Sequence, residues 1–174
     1  MEVDFARNLT EEPSHHPDCC VAISRHFLTS LLNLLPSYPA LVLSVGSGSG
    51  YLEACLLYLA GSESLNLLGL EVSPLVNKFL PEEYTVYVHG TYSLYEGAAA
   101  AEVLLFVYPR EPRLMARYLQ QLGQSSCQKI IWIGPVQDWP DYEDVLKSSD
   151  FASINVPAGC RVADYEMVCV ATKC

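Results

Sequence analysis

Three glycines on alternate positions, Gly46, Gly48 and Gly50, follow an apolar run in the stretch LVLSVGSGSGYLEACLL, residues 41–57. Glycines let a backbone turn tightly and let a ligand approach the main chain where a β-carbon would otherwise stand. A helix that starts just after them aims free N–H groups at that ligand. The spacing narrows the ligand class. A dinucleotide turn runs G-x-G-x-x-G or ends in alanine. Counted from Gly46 the closing position is Tyr51, and counted from Gly48 it is Glu53. A tyrosine obstructs close packing of helix on strand, and a carboxylate repels a pyrophosphate. No Lys-Ser or Lys-Thr pair follows the glycines, which sets aside the phosphate loop of ATP and GTP enzymes. The plain alternative is a tight turn that holds no ligand.

Other residues offer different chemistry. His15, His16 and His89 are the side chains best tuned for proton transfer near neutral pH; the favoured reading of His15 and His16 is two solvated histidines of a polar lead-in. The seven cysteines are Cys19, Cys20, Cys55, Cys127, Cys160, Cys169 and Cys174. Their odd number, without any C-x-x-C pair, points to reduced and mostly buried thiols in the cytosol. Cys19-Cys20 beside His15-His16 lacks the spaced pairs of a zinc site, so no metal is expected. Arg110, Arg113 and Arg117 sit at helical spacing and read as a solvated helix face.

These groups need elements to hold them. The chain has 174 residues, enough for one domain, and 51% of them are hydrophobic, enough for one sizeable core. Residues 19–35 carry apolar side chains every four positions and predict a helix that begins after Pro17-Asp18 and ends before Pro36. Strands and helices then alternate. Residues 40–45, 65–72, 84–90, 101–108 and 129–134 are short apolar runs of the kind expected of strands buried on both faces. Helices are expected from Tyr51 to Gly61, over a short stretch opened by Ser73-Pro74, over residues 111–123 and over residues 139–150. Residues 151–159 and 165–173 predict two closing strands, which a short connection around Pro157–Gly159 can pair only antiparallel. Alternation implies an α/β fold, a mostly parallel sheet between layers of helices with right-handed crossovers. Ligands bind such a sheet at the carboxyl ends of its strands, where the glycine turn falls.

The net charge of −10 argues against nucleic acid as the default partner, because a phosphate backbone repels such a chain. No window reaches the ~18 uninterrupted apolar residues of a membrane helix. The acidic, polar first residues do not read as a secretory signal.

The stretches VLSVGSGSGYLE and LLGLEVSP together resemble the first two motifs of the class I S-adenosylmethionine-dependent methyltransferases. The likeness extends over residues 40–172. It implies a Rossmann-like three-layer sandwich with a seven-stranded sheet whose last strand is reversed. The whole chain, 1–174, is then one methyltransferase-like domain, with residues 1–39 as an N-terminal segment and helix and residues 40–174 as the core. It also implies S-adenosylmethionine as cofactor, held by Gly46, Gly48 and Gly50, with Glu71 on the ribose hydroxyls. A carboxylate suits that place because it accepts two hydrogen bonds from a diol.

The pattern is not complete. The family usually carries an acid two residues before the first glycine, near the methionine amino group; here that residue is Ser44, which can still accept a hydrogen bond from the cofactor but contributes no charge. The adenine-side acid after the third strand is also missing, which leaves Thr91, Tyr92 or main chain to hold the base. The fourth strand ends in VYPREP, with a proline but without the Asn or Asp of the tetrad that orients a target nitrogen in some amino-group methyltransferases. Tyr108, Arg110 and His16 are the candidate catalytic residues. Tyr108 would orient an acceptor or simply cap the sheet. Arg110 would pair with an acidic substrate group or stand in solvent. His16 would reach the pocket if the N-terminal segment folds over it. Trp139 and Tyr142 are candidate pocket walls or packing residues. The expected function is methyl transfer to a small-molecule acceptor in the cytosol. The alternative is a methyltransferase-like scaffold that binds a partner or runs another reaction such as cyclisation or isomerisation. A nicotinamide-dependent oxidoreductase is disfavoured by Tyr51 and the closing pair.

Overall fold

The apolar runs form strands because both of their faces are covered. β1 (Leu41–Val45), β4 (Ala101–Val107) and β5 (Lys129–Pro135) are buried almost end to end. Alternate side chains enter two separate cores. On one face Val42, Val103, Leu105 and Ile131 pack beneath α1 (Arg25–Leu34) and α2 (Tyr51–Ala60). On the other, Leu43, Leu104, Phe106 and Trp132 pack beneath α3 (Pro112–Gln121) and α4 (Trp139–Lys147). The computed structural model describes residues 9–174, so the first eight residues of the expected lead-in lie outside the described residues.

Seven strands form one sheet in the order β3-β2-β1-β4-β5-β7-β6. β2 (Asn66–Glu71) and β3 (Thr85–Tyr87) lie on one side of β1. β6 (Ser153–Asn155) and β7 (Glu166–Thr172) complete the other side. The pairs from β3 through β5 are parallel, and β7 runs antiparallel between β5 and β6. The expected sandwich with one reversed strand is therefore present. No helix among the described residues is long and apolar enough to cross a membrane.

Three local expectations are corrected. The first helix does not begin at residue 19. Ile23 exchanges two backbone hydrogen bonds with Ser14, at 2.8 and 2.9 Å, and the Ala22 N–H donates to the Glu166 carboxylate. These bonds hold Ala22 and Ile23 out of the helix, which starts only after Ser24, whose hydroxyl oxygen accepts the Phe27 N–H. The stretch after Ser73 is a turn and not a helix. Its backbone is committed elsewhere: the N–H groups of Lys78 and Phe79 both donate to the Ser49 carbonyl, at 2.9 and 3.0 Å. The connection between β6 and β7 runs over residues 156–165 and is longer than expected. It travels out to α1, where the Gly159 carbonyl accepts a hydrogen bond from Ser30 and contacts the His26 ring.

Candidate functional site

β1 and β2 end side by side, with Val45 in register with Leu70, so the glycine turn and Glu71 emerge together. The Leu70 carbonyl accepts the N–H groups of both Gly46 and Ser47 at 2.9 Å, which turns the chain sharply off the strand. Gly46, Gly48 and Gly50 all have positive φ, at 76°, 57° and 76°. L side chains are strained in that region.

The three glycines are not equivalent. A β-carbon on Gly50 would stand 2.6 Å from Leu80 Cβ and 2.8 Å from Asn77 Oδ1. Gly50 therefore serves packing, letting the 73–80 turn lie against the start of α2. A β-carbon on Gly46 or Gly48 would meet nothing within 4 Å. These two present bare backbone to an open cavity of about 380 Å³ at the carboxyl edge of the sheet. That volume falls in the range of small-molecule sites. A second depression, about 500 Å³, lies between α3 and α4. Gly123 and Ser148 from the C-terminal ends of those helices line it, so it opens at the opposite edge of the sheet.

Glu71 lines the first cavity and braces the turn. One carboxylate oxygen accepts the Gly48 N–H at 2.8 Å and the other accepts the Val72 N–H at 2.7 Å. Each oxygen retains a further lone pair for a ligand diol. Thr91, Tyr92 and Val88 line the side next to β3. The Tyr92 ring is fixed by the Arg113 guanidinium 5.1 Å from its centroid, and its hydroxyl donates to Glu111.

Ser44 does not line the cavity. It is buried and donates its hydroxyl to Glu53 Oε1 at 2.6 Å. Glu53 does line it, from the first turn of α2. Its Oε2 accepts no hydrogen bond, and the side chain is only 2% exposed. Burial pushes its carboxyl up to about 7, against the pull of the Ser44 hydroxyl and its own backbone N–H. A carboxylate thus reaches the place where the strand end carries serine, but from the helix. The sequence contains the signal: Glu53 is the one charged residue in YLEACLLYLA.

A strap from the N-terminal segment closes part of the cavity. Asp18, Cys19 and Cys20 line it. The strap is held by the Asp18–Lys78 ion pair at 2.5 Å and by the Ser49 hydroxyl, which donates to the Asp18 carbonyl. His16 belongs to this anchor. Its ring stacks on Tyr51 at 3.8 Å between centroids and meets the edge of Phe79, and Nδ1 accepts the Asp18 N–H. It is not among the residues that line the cavity. The resemblance leads one to expect the N-terminal segment over the pocket, and the fold places Asp18, Cys19 and Cys20, rather than His16, on its wall.

Tyr108 and Arg110 both line the mouth. Tyr108 has φ +48°, and its hydroxyl donates to Glu166 Oε1 at 2.5 Å. Glu166 is buried and also accepts the Ala22 and Ala163 N–H groups. Burial, then the Glu166 carboxylate, drive the phenol well above its ordinary pKa, so it is a donor and not a base. Arg110 is exposed. His89 is exposed just beyond β3. Trp139 and Tyr142 are packing residues rather than walls: both rings pack on Trp132, and the Tyr142 hydroxyl donates to the Pro109 carbonyl.

No protein-family model and no curated protein matches the sequence. Solved structures do match the fold. A SAM-dependent methyltransferase from Aquifex aeolicus aligns at a TM-score of 0.61 with 14% identity, over 85% of this chain and 89% of that one. A precorrin-6y C5,15-methyltransferase from Geobacter metallireducens aligns at 0.63 with 10% identity, over 92% and 95%. A SAM-dependent O-methyltransferase from Thermotoga maritima aligns at 0.63 with 14% identity, over 88% and 67%. The fold is that of the class I S-adenosylmethionine-dependent methyltransferases. At 10 to 14% identity the chain is a divergent example of that fold.

Proposed function

We propose that the protein binds S-adenosylmethionine and transfers its methyl group to a small-molecule acceptor. The observation that carries this reading is the open cradle: Gly46 and Gly48 face empty space beside Glu71, at the edge of the sheet where this fold takes its ligand. Residues 1–174 would act as one unit in the cytosol, with the strap forming one wall of the site.

In this reading the backbone at Gly46 and Gly48 lies against the nucleoside, and Glu71 accepts the ribose hydroxyls. Thr91, Tyr92 and Val88 would flank the adenine. When bound, the cofactor supplies an electrophilic methyl on a sulfonium. The chain's own part is to align the acceptor and keep water out, and alignment alone removes much of the barrier. Tyr108 sets the shape of the acceptor side while its hydroxyl stays on Glu166. Arg110 at the mouth suits an acceptor with a carboxylate. The net charge of −10 favours a small acceptor over nucleic acid.

Calorimetric titration with S-adenosylmethionine and S-adenosylhomocysteine tests cofactor binding. Transfer of a labelled methyl group to members of a small-molecule panel tests turnover. Two observations favour a second reading, a scaffold that binds without methyl transfer or runs a different reaction. The Tyr108 hydroxyl is already engaged by Glu166, and no histidine lines the cavity. Binding of both ligands with no transfer to any acceptor would select it.

A further inference from the structure

We propose that Glu53, oriented by Ser44, is the receptor for the ammonium group of the bound ligand, and that arrival of the cation expels a proton from the Glu53 carboxyl. This rests on the reading of the cavity as a S-adenosylmethionine site, and it adds a residue and a proton-coupled step to it.

The geometry is unusual for a residue with only a structural role. A buried carboxyl with one unpartnered oxygen is costly. α2 is otherwise apolar, and its neighbours Leu52, Ala54 and Leu56 pack well without polar atoms. Ser44 Oγ fixes Oε1, so the bare Oε2 belongs to a side chain of the cavity wall. Other polar groups around it do not satisfy it. Glu71 from β2 opposes a negative charge there, and the thiols of Cys19 from the strap and Cys55 on α2, which burial keeps protonated, carry no charge to balance it. Asp18 in the same strap is paired with Lys78, and Arg110 stands exposed at the mouth.

An ammonium group answers both deficits. Its N–H donates to Oε2, and its charge favours the ionised carboxylate. Burial holds the free carboxyl well above the ordinary glutamate range, so part of the molecules keep the proton at neutral pH. Binding therefore releases a fraction of a proton to solvent at pH 7, and the carboxylate left behind accepts the ammonium hydrogen bond. In S-adenosylmethionine and S-adenosylhomocysteine the only ammonium is on the amino-acid end, remote from the adenine.

The test uses the full chain, Glu53→Gln, and two probes. S-adenosylhomocysteine carries the ammonium; 5′-methylthioadenosine keeps the nucleoside and lacks it. The wild type should bind S-adenosylhomocysteine about tenfold or more tightly than 5′-methylthioadenosine at pH 8, as expected of one charge-assisted contact. Glu53→Gln should lose that preference while its affinity for 5′-methylthioadenosine changes less than about twofold. Calorimetry at pH 7 in buffers of different ionisation enthalpy should show the proton released by the wild type and none by Glu53→Gln. Ser44→Ala, which removes the group that lowers the carboxyl, should move the release to higher pH. Equal preference for S-adenosylhomocysteine in wild type and Glu53→Gln overturns the inference while the cofactor reading survives. Failure of the wild type to bind either nucleoside overturns both.

Discussion

At the residue scale, the carboxyl beside the glycine turn comes from a helix. Ser44 on β1 donates its hydroxyl to Glu53, nine residues along, and Glu53 lines the cavity. The buried carboxyl has a measurable signature in the unliganded protein. The folded Glu53 carboxyl sits near 7, above the ordinary glutamate value of 4.5. The folded state therefore holds this proton more tightly than the unfolded chain. The associated stability is complete below about pH 4 and is lost as pH rises through 7. Glu53→Gln removes the dependence. Urea unfolding of the two proteins should show the variant gaining on the wild type between pH 5 and pH 8, by an amount of order 1–3 kcal/mol. A constant difference across that range would contradict the burial of an unpaired carboxyl.

The glycines separate in the same way. Gly50→Ala drives a β-carbon into Leu80 and Asn77 and should cost about 2 kcal/mol or more of stability. Gly48→Ala meets only the φ penalty, about 1 kcal/mol, but its methyl group enters the cradle and should abolish nucleoside binding. Thermal unfolding and ligand titration of the two variants give opposite orders if the assignment of packing and cradle roles is correct.

At the scale of elements, the strap and the two strand ends form the working unit. Cys20 is exposed and lines the cavity, whereas Cys174 is exposed at the chain end. Saturating S-adenosylhomocysteine should slow alkylation of Cys20 by N-ethylmaleimide about tenfold or more and leave Cys174 unaffected, read by mass spectrometry. Tyr108 ties the end of β4 to β7 and, through Glu166, to the strap. Tyr108→Phe should lower stability by about 1–2 kcal/mol, measured by urea unfolding. The strands were legible because burial on both faces writes an unbroken apolar run. The 73–80 turn was not, because Ser73-Pro74 is a sound helix start and the bonds from residues 78 and 79 to the Ser49 carbonyl are long-range. The start of α1 departs from its periodicity for a similar reason. Periodicity continues through Val21 and Ile23, while their conformation is set by Ser14 and by Glu166, far along the chain.

At the scale of the whole molecule, topology explains which site residues could be read from sequence. Gly46, Gly48 and Glu71 are positioned by two adjacent parallel strands, so their juxtaposition follows from the α/β pattern alone. Glu53 was visible only as an obstacle to pyrophosphate, since its contact with Ser44 depends on how α2 lies over β1. The placement of His16 depends on the path of the strap, which no local pattern encodes. The surplus of acidic residues acts at this scale too. A protein with net charge −10 should show no retention of an RNA or DNA oligomer in filter binding at physiological salt.

A crystal structure with S-adenosylhomocysteine decides whether the open turn beside Glu71 receives a nucleoside. The ribose hydroxyls should lie on the Glu71 carboxylate, the nucleoside against bare backbone at Gly46 and Gly48, and the amino group at Glu53. A cavity that excludes the ligand at saturating concentration, with Glu71 still holding only Gly48 and Val72, would contradict nucleoside binding there.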